Sequence, residues 1–555
     1  MTLPHRFVIL RWMLAAVAGA VWACAFPSPG IAGLAWVAPG ILLWATHTPG
    51  PDRGLCFRLG YVAGATHYLL SLSWLRHIPF PAGAYAGWFA LSFFLALLPA
   101  AWVLMCWSFA RRLGVAGAGA DATSGLRGGN SLALPGQGLG ETMAGSRWVT
   151  LNLWFLLCAV SWVALEMLVA RLFGGFPWNL LGTSQHRMTP VIQIASATGV
   201  YGVSFLVVWF STSLMTALVL LVRHPDRPGL WRRPLVFPAL IVVAVTGGGT
   251  LGMVGDAPPA RRLNVALVQP SIAQTMIFDA DAGPQRFETL LRLTEQAVTT
   301  RPDLVLWPEA SLPGGLSREQ FERLVDVVKR AGVWMIFGAD EPDEGDPATG
   351  VGPRSYNSAF LLNPQGEVVN SYRKQRLVMF GEYIPFGRWL PFLQRLAPIG
   401  DGFHPGPGPV TFGLPSLDVR TSVLICFEDN FPHQARQHVG PDTDFLVNIT
   451  NDAWFGESAA QWQHHANASL RAVENGLPLV RCSNNGISGW IDRRGRMHSA
   501  RISGNRDAYA AGFEVVSVPL GLPQLTFYHR FGDVFGWACV AAALLALGWQ
   551  ARRAH

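Results

Sequence analysis

The chain has 555 residues, half of them hydrophobic and only 14% charged, with a formal net charge of +7. It is too long for one ordinary domain and too apolar for an all-soluble protein, so a membrane protein is the first class to test. The basic excess does not imply a nucleic-acid partner, because its arginines sit in short loops where they report topology.

Apolar windows of roughly 20 residues, enough to cross a hydrocarbon core, lie near Val8 to Phe26, Ile31 to His47, Leu55 to Leu75, Ala84 to Ala110, Leu151 to Phe173, Ile192 to Val222 and Leu235 to Val254. One more, near Phe531 to Trp549, brings the expectation to about eight spans, with Pro39 and His67 interrupting the second and third. The first segment has a second reading as a cleaved signal peptide, since Val21-Trp22-Ala23-Cys24 looks like a lipid-attachment site. The spans that follow make an uncleaved helix simpler.

Threading these spans in order puts Arg6, Arg53, Arg111, Arg112, Arg127, Arg147, Arg223, Arg227, Arg232, Arg233, Arg552 and Arg553 on one side, against Arg76, Arg171 and Arg187 on the other. The positive-inside tendency then places both termini in the cytoplasm and the long segment between the seventh and eighth spans outside. Gly114 to Ser146, rich in Gly, Ala and Ser, reads as a cytoplasmic loop without chemistry of its own. Glu166 and Arg171 are costly in lipid, and mutual pairing is expected of them.

Residues 1–260 therefore read as a membrane domain, 261–520 as an exported α/β domain, and 521–555 as a last span with a cytoplasmic tail. In the α/β part, strands are predicted at Leu263 to Gln269, Asp303 to Trp307, Trp334 to Gly338, Ala359 to Leu362, Val368 to Tyr372, Thr421 to Ile425, Phe445 to Ile449 and Leu477 to Arg481. Helical spacing of Phe287, Leu290, Leu291 and Leu293, then of Phe321, Leu324, Val325 and Val328, predicts helices over Pro284 to Thr299 and Ser317 to Gly332. Strands this apolar are buried on both faces, so helices should cover the sheets outside and reactive side chains should gather where the strands end.

Those ends carry Glu309, Lys374, Cys426 and Asn451-Asp452. Cys426 follows Val423-Leu424-Ile425 and precedes Phe427-Glu428-Asp429, so an apolar strand delivers a thiol to a polar edge with acids beside it. A buried structural cysteine and a disulfide with Cys482 are its other readings. Cys24, Cys56, Cys106, Cys158 and Cys539 lie in apolar windows as small hydrophobes, and no cysteine spacing suits a metal.

Two of the 42 basic residues are lysine, Lys329 and Lys374. A chain that uses arginine wherever any cation will do has kept a compact ammonium at one strand end, where it can meet a developing oxyanion; a solvated surface charge is the alternative. Glu309 ends Leu304-Val305-Leu306-Trp307-Pro308 and suits a base for a thiol, or else is an exposed turn residue.

Leu-Trp-Pro-Glu (306 to 309), Tyr-Arg-Lys (372 to 374), Leu-Val-Met-Phe-Gly-Glu (377 to 382), Cys-Phe-Glu (426 to 428) and Asn-Asp-Ala-Trp-Phe-Gly (451 to 456) resemble the nitrilase superfamily. With the flanking spans, Gly175-Phe176-Pro177-Trp178 and Asn484-Asn485-Gly486, they resemble its membrane branch, the bacterial apolipoprotein N-acyltransferases. The resemblance implies an αββα sandwich inserted between the seventh and eighth spans, and a catalytic triad of Glu309, Lys374 and Cys426 supported by Glu382 and Glu428. It implies an inner-membrane enzyme that carries an acyl group from phospholipid as a thioester to the amine of diacylglyceryl-cysteine lipoproteins, without cofactor or metal, as a monomer in the bilayer.

Met379, Phe278 and Phe427 stand where that family commonly has proline, tryptophan and tyrosine. The first is expected to alter loop stiffness. The others, with Trp454, are expected to contact acyl chain or lipoprotein. Apolar loops such as Met379-Phe380, Trp389-Leu390-Pro391-Phe392 and Trp454-Phe455 would shelter the thioester from water. A membrane-tethered amidase using water is the rival enzyme. A transporter would need more polar groups inside the spans than His67 and Glu166 supply.

Overall fold

The computed structural model describes residues 3–46, 52–115, 143–254, 259, 261–279, 281–312, 314–345, 352–385, 387, 389, 402–504, 508–521 and 525–552. Most of the Gly/Ser-rich loop, and Leu390-Pro391-Phe392, lie outside the described residues. The chain divides into two compact units: Met1–Ser73 with Trp88–Val254 and Asp533–His555, and Trp74–Gly87 with Gly255–Gly532.

The first unit is helical. Among the described residues, five segments are long and apolar enough to cross a membrane: Pro81–Arg112, Trp148–Val169, Val200–Arg223, Pro228–Met253 and Val534–Arg552. Ile9–Ala23 and Ala32–Thr46 are shorter apolar helices. The second predicted window breaks into a 3₁₀ turn, Ala32–Trp36, and a helix, Ala38–Thr46, because Pro39 can open a helix but not continue one.

Glu166 and Arg171 do not pair with each other. Glu166 Oε1 accepts from Trp162 Nε1 at 2.9 Å and from the Leu181 amide at 2.7 Å, so it satisfies the start of a buried 3₁₀ turn, Leu181–Gln185. Arg171 binds Asp533, at the start of the last helix, and lies over the Trp537 ring. Each charge therefore ties its helix to a different element.

The second unit contains two six-stranded sheets. The first has the order β12-β1-β2-β3-β4-β5: β1 Arg261–Gln269, β2 Leu304–Leu306, β3 Trp334–Asp343, β4 Arg354–Leu362, β5 Val368–Arg373 and β12 Gly512–Leu520. The other, β11-β10-β9-β8-β7-β6, comprises β6 Thr411–Leu414, β7 Val419–Ile425, β8 Phe445–Thr450, β9 Leu479–Ser483, β10 Gly489–Ile491 and β11 Met497–Ser499. In each sheet three central strands run parallel, β1-β2-β3 and β7-β8-β9.

Alternation along the strands makes four layers. Leu263, Val265 and Leu267 of β1 meet Val423 and Ile425 of β7 and Val447 and Ile449 of β8 in one core between the sheets. Ala266 and Val268 face the other way, against Phe287, Leu290 and Leu291 of the helix Gly283–Val298. Leu424 and Leu446 pack outward with Ala468 and Ala472 of the helix Ala460–Asn475. This is an αββα sandwich.

Trp74–Gly87 belongs to this unit through specific contacts. Trp74 Nε1 donates to Gln463 Oε1 at 3.0 Å and meets Phe455 edge-on at 4.5 Å, while Phe80 packs on Phe278 at 5.6 Å.

Glu166→Leu should strip the acceptor from a buried Leu181 amide and a buried indole. The expected cost is about 2 to 4 kcal/mol, read as a lower melting temperature of the detergent-solubilised chain; an unchanged melting temperature would remove Glu166 as a strut.

Candidate active site

Parallel strands leave their carboxyl ends on one edge, and there the polar side chains converge. Trp307, at the end of β2, is anchored by its indole N–H to Thr294 Oγ1 at 2.7 Å, and the chain then turns to place Glu309. The turn packs so tightly on β3 that a Cβ at Gly338 would lie 2.8 Å from the Pro308 oxygen and 2.9 Å from the Glu309 Cα. Only glycine allows that approach. Lys374 follows β5, and Cys426 follows β7.

Lys374 Nζ lies 2.8 Å from both Glu309 Oε1 and Glu382 Oε1. Asn357 Nδ2, from β4, donates to the same two oxygens at 2.8 Å each. The remaining oxygens are also paired: the Asn451 amide reaches Glu309 Oε2 at 3.0 Å and the Val378 amide reaches Glu382 Oε2 at 2.8 Å. Lys374 is 1% exposed, Glu309 4% and Glu382 8%. Buried charges cost several kcal/mol each unless paired and hydrogen-bonded, and every oxygen here is.

Cys426 adopts φ of +52°, a conformation that side-chain-bearing residues avoid at a cost of about 1 kcal/mol. The turn is held by Glu428, whose carboxylate is completely buried. It accepts from the Ile425 amide (2.8 Å), the Gln375 amide (2.7 Å), the Arg376 amide (3.1 Å), Gln434 Nε2 (2.9 Å) and the Tyr372 hydroxyl (2.8 and 2.9 Å). One carboxylate thus clamps the residue before Cys426 to the two residues after Lys374.

The electrostatics assign resting states. Burial pushes the Cys426 thiol well above its usual range and Glu309 adds to that, while Lys374 pulls it back. Cys426 therefore rests as a thiol, and any attack by its sulfur would need a base. Burial alone would lower the Lys374 ammonium, but Glu309 and Glu382 outweigh it and hold it well above its ordinary value. The site therefore keeps a fixed cation beside a neutral thiol.

Sequence comparison points the same way. Residues 18–213 match the model of the apolipoprotein N-acyltransferase N-terminal domain, and residues 264–513 match that of the carbon-nitrogen hydrolases. An apolipoprotein N-acyltransferase of Geobacter metallireducens is 34% identical over 98% of this chain and 95% of its own length. The chain belongs to the apolipoprotein N-acyltransferase family. A second member, from Rhizobium rhizogenes, is 30% identical, covering 89% of each chain.

Within this acyltransferase, Glu309, Lys374, Glu382, Glu428 and Cys426 form one continuous site. The other named residues lie at its aromatic margin. Phe278 and Trp454 meet edge-on at 5.2 Å, and Phe80 also packs on Phe278. Phe427 packs on Phe431 at 5.1 Å. Met379 is exposed beside Phe380, in a loop pinned by the Phe380 amide to the Tyr383 oxygen at 2.8 Å. Cys482 is no disulfide partner. Both cysteines are free, and Cys482 lies in the core between the sheets, directing its thiol at the Val268 and Leu306 carbonyls.

Two groups escaped sequence reasoning. Asn357 bridges the carboxylates from the middle of β4, where Arg354, Ser355 and Ser358 are polar too, so nothing in the sequence singles it out. The other is His464 and Arg481, which join Asp429 and Asp452, both legible in the sequence, beside Cys426 and at a strand end, in a second buried cluster where His464 lies between Asp452 (2.7 Å) and Asp429 (2.9 Å). Burial and Arg481 both lower the His464 imidazolium, but the two aspartates outweigh them and raise it to about 9. Burial would raise Asp452, yet His464 and Arg481 bring it down to about 2.

Lys374→Met should leave two adjacent carboxylates without their cation. Acyl transfer is expected to fall by on the order of 10²- to 10³-fold and stability by about 3 to 5 kcal/mol, measured by product formation and chemical denaturation; native activity would exclude the ammonium from the reaction. The raised imidazolium contributes stability that is complete below pH 6.5 and is lost as pH rises to about 9. A melting temperature falling across that window, and a flatter profile in His464→Gln, are the expected readings. Equal slopes in both proteins would refute this assignment.

Proposed function

We propose that the chain transfers a fatty acyl group from a membrane phospholipid, through a thioester on Cys426, to the α-amine of the diacylglyceryl-cysteine of apolipoproteins. The observation that carries this reading is that likeness to named acyltransferases runs through both the apolar helices and the sandwich, over 98% of the chain.

The chemistry follows from the buried charges. Glu309 takes the thiol proton as the Cys426 sulfur attacks the ester carbonyl, and Lys374 stabilises the oxyanion. Collapse breaks the ester C–O bond, and lysophospholipid leaves with the proton returned by Glu309. The lipoprotein amine then attacks the thioester, a C–N bond forms, the C–S bond breaks, and Glu309 relays the amine proton to the departing sulfur. Glu382 holds Lys374 between the two carboxylates, and Glu428 holds the nucleophile turn against the lysine loop.

Water is the competing acceptor, and apolar surroundings favour transfer over hydrolysis. Phe278, Trp454 and Phe80 form an aromatic wall suited to an acyl chain. Met379 and Phe380 are exposed, and Trp389 is 84% exposed, as suits loops that meet lipid. In this reading about eight spans hold the protein in the bacterial inner membrane, both termini cytoplasmic. The sandwich, inserted between the seventh and eighth, lies on the periplasmic side, and the chain acts as a monomer.

Acyl-labelled phospholipid and a diacylglyceryl lipopeptide, incubated with the detergent-solubilised chain, should yield N-acylated lipopeptide. An acyl adduct should map to Cys426 and be missing from Cys426→Ala. Release of free fatty acid alone would favour the amidase. An adduct that persists in Cys426→Ala but disappears in Cys482→Ala would overturn the nucleophile.

A further inference from the structure

The second buried cluster touches Cys426 through its carbonyl oxygen and takes no part in the steps above. Arg481 donates to Asp429 Oδ2 at 2.8 Å, to Asp452 Oδ2 at 2.9 Å and to Asn448 Oδ1 at 2.7 Å. His464 bonds the other oxygen of each aspartate. Two cations and two anions, none more than 1% exposed, thus balance one another with no solvent between them.

Two donors leave this cluster and converge on one acceptor. His464 Nε2, whose one N–H is shared with Asp429 Oδ1 at 2.9 Å, lies 3.3 Å from the Cys426 carbonyl oxygen, and Asn448 Nδ2 lies 3.1 Å from it. Asn448 also reaches the Leu424 carbonyl at 3.3 Å, so the end of β7 is gripped on both sides of Ile425. The gripped residue is the one held at φ of +52°.

We infer that His464 and Asn448 are positioning residues for acyl transfer, fixing the peptide plane of Cys426 so that its thiol and the following amide keep their reactive directions. The inference rests on Cys426 being the nucleophile. A trans peptide is planar, so its C=O and the next N–H point opposite ways, and anchoring the Cys426 oxygen sets the direction of the Phe427 N–H as well. Backbone N–H groups beside a nucleophile are donors to a developing oxyanion, and displacement of reacting atoms by about 1 Å costs on the order of a hundredfold. Core glue alone is a poorer account, because a buried charge cluster adds little stability over apolar packing. This one sets an Asn448 N–H and a shared His464 N–H against a single carbonyl.

The test is single-turnover acylation of the full chain in detergent by a phospholipid carrying a fluorescent acyl chain, with the adduct located by intact-mass and peptide analysis. His464→Ala and Asn448→Ala should each acylate Cys426 about ten- to a hundredfold more slowly, with the half-saturating phospholipid concentration changed by less than about twofold. His464→Gln, whose amide can donate from the position of Nε2, should recover most of the rate. Native acylation rates in folded His464→Ala or Asn448→Ala would overturn the inference. So would a His464→Gln no faster than His464→Ala, or a loss carried by phospholipid affinity instead of rate. If His464→Ala does not fold, Asn448→Ala and His464→Gln decide by the same criteria. An adduct on another residue of the native chain would instead refute the nucleophile assignment itself.

Discussion

One ammonium shared by two carboxylates is the constraint around which the site is arranged. Lys374, Glu309 and Glu382 arrive from three separate loops, yet none can be buried without the others. The strand ends that carry them must therefore meet at one edge of the sandwich. Asn357 and the amides of Asn451 and Val378 fill the remaining hydrogen-bond positions, which makes β4 and the turns after β8 and β5 part of the same construction. An error in any of these elements would leave a charge unpaired in a low-dielectric interior.

Cys426 is restrained by a different means. Its backbone occupies a conformation of about 1 kcal/mol strain, so the surrounding bonds must over-determine it. Glu428 takes the amide of Ile425, and the His464 cluster meets the carbonyl of Cys426 itself. The first bond also reaches the lysine loop; the second reaches the helix Ala460–Asn475 and β9. Acid, cation and thiol are thereby referred to one rigid frame.

Much of this was legible in the sequence, and the illegible part has physical reasons. The eight predicted strands are all present; most are apolar runs buried on both faces, a pattern that survives without tertiary knowledge, while β5 is an edge strand with Val368 and Val369 exposed. β6, β10 and β11 are only three or four residues long, and β12 alternates apolar and polar residues through Gly512–Leu520, so they carry weaker signals. Glu309, Lys374 and Cys426 could be named because each ends a strand. His464 could not: its helix reads Ala-Gln-Trp-Gln-His-His-Ala-Asn, polar enough to suggest a wet surface, yet nearly all of it is buried. Its polarity answers buried carboxylates, and that distinction exists only in three dimensions. The same holds for Glu166 and Arg171, whose cost in lipid suggested a pair while the fold gave each another partner.

The scarcity of lysine has a consequence for protein chemistry. Lys329 stands exposed on the helix Arg318–Ala331, whereas Lys374 is sealed between carboxylates. An amine-selective reagent applied to the intact enzyme has one accessible side-chain target, remote in sequence from the site. Arrival of label at Lys374 then becomes a clock for excursions that unseal the interior, read against Lys329 as the one other side-chain amine.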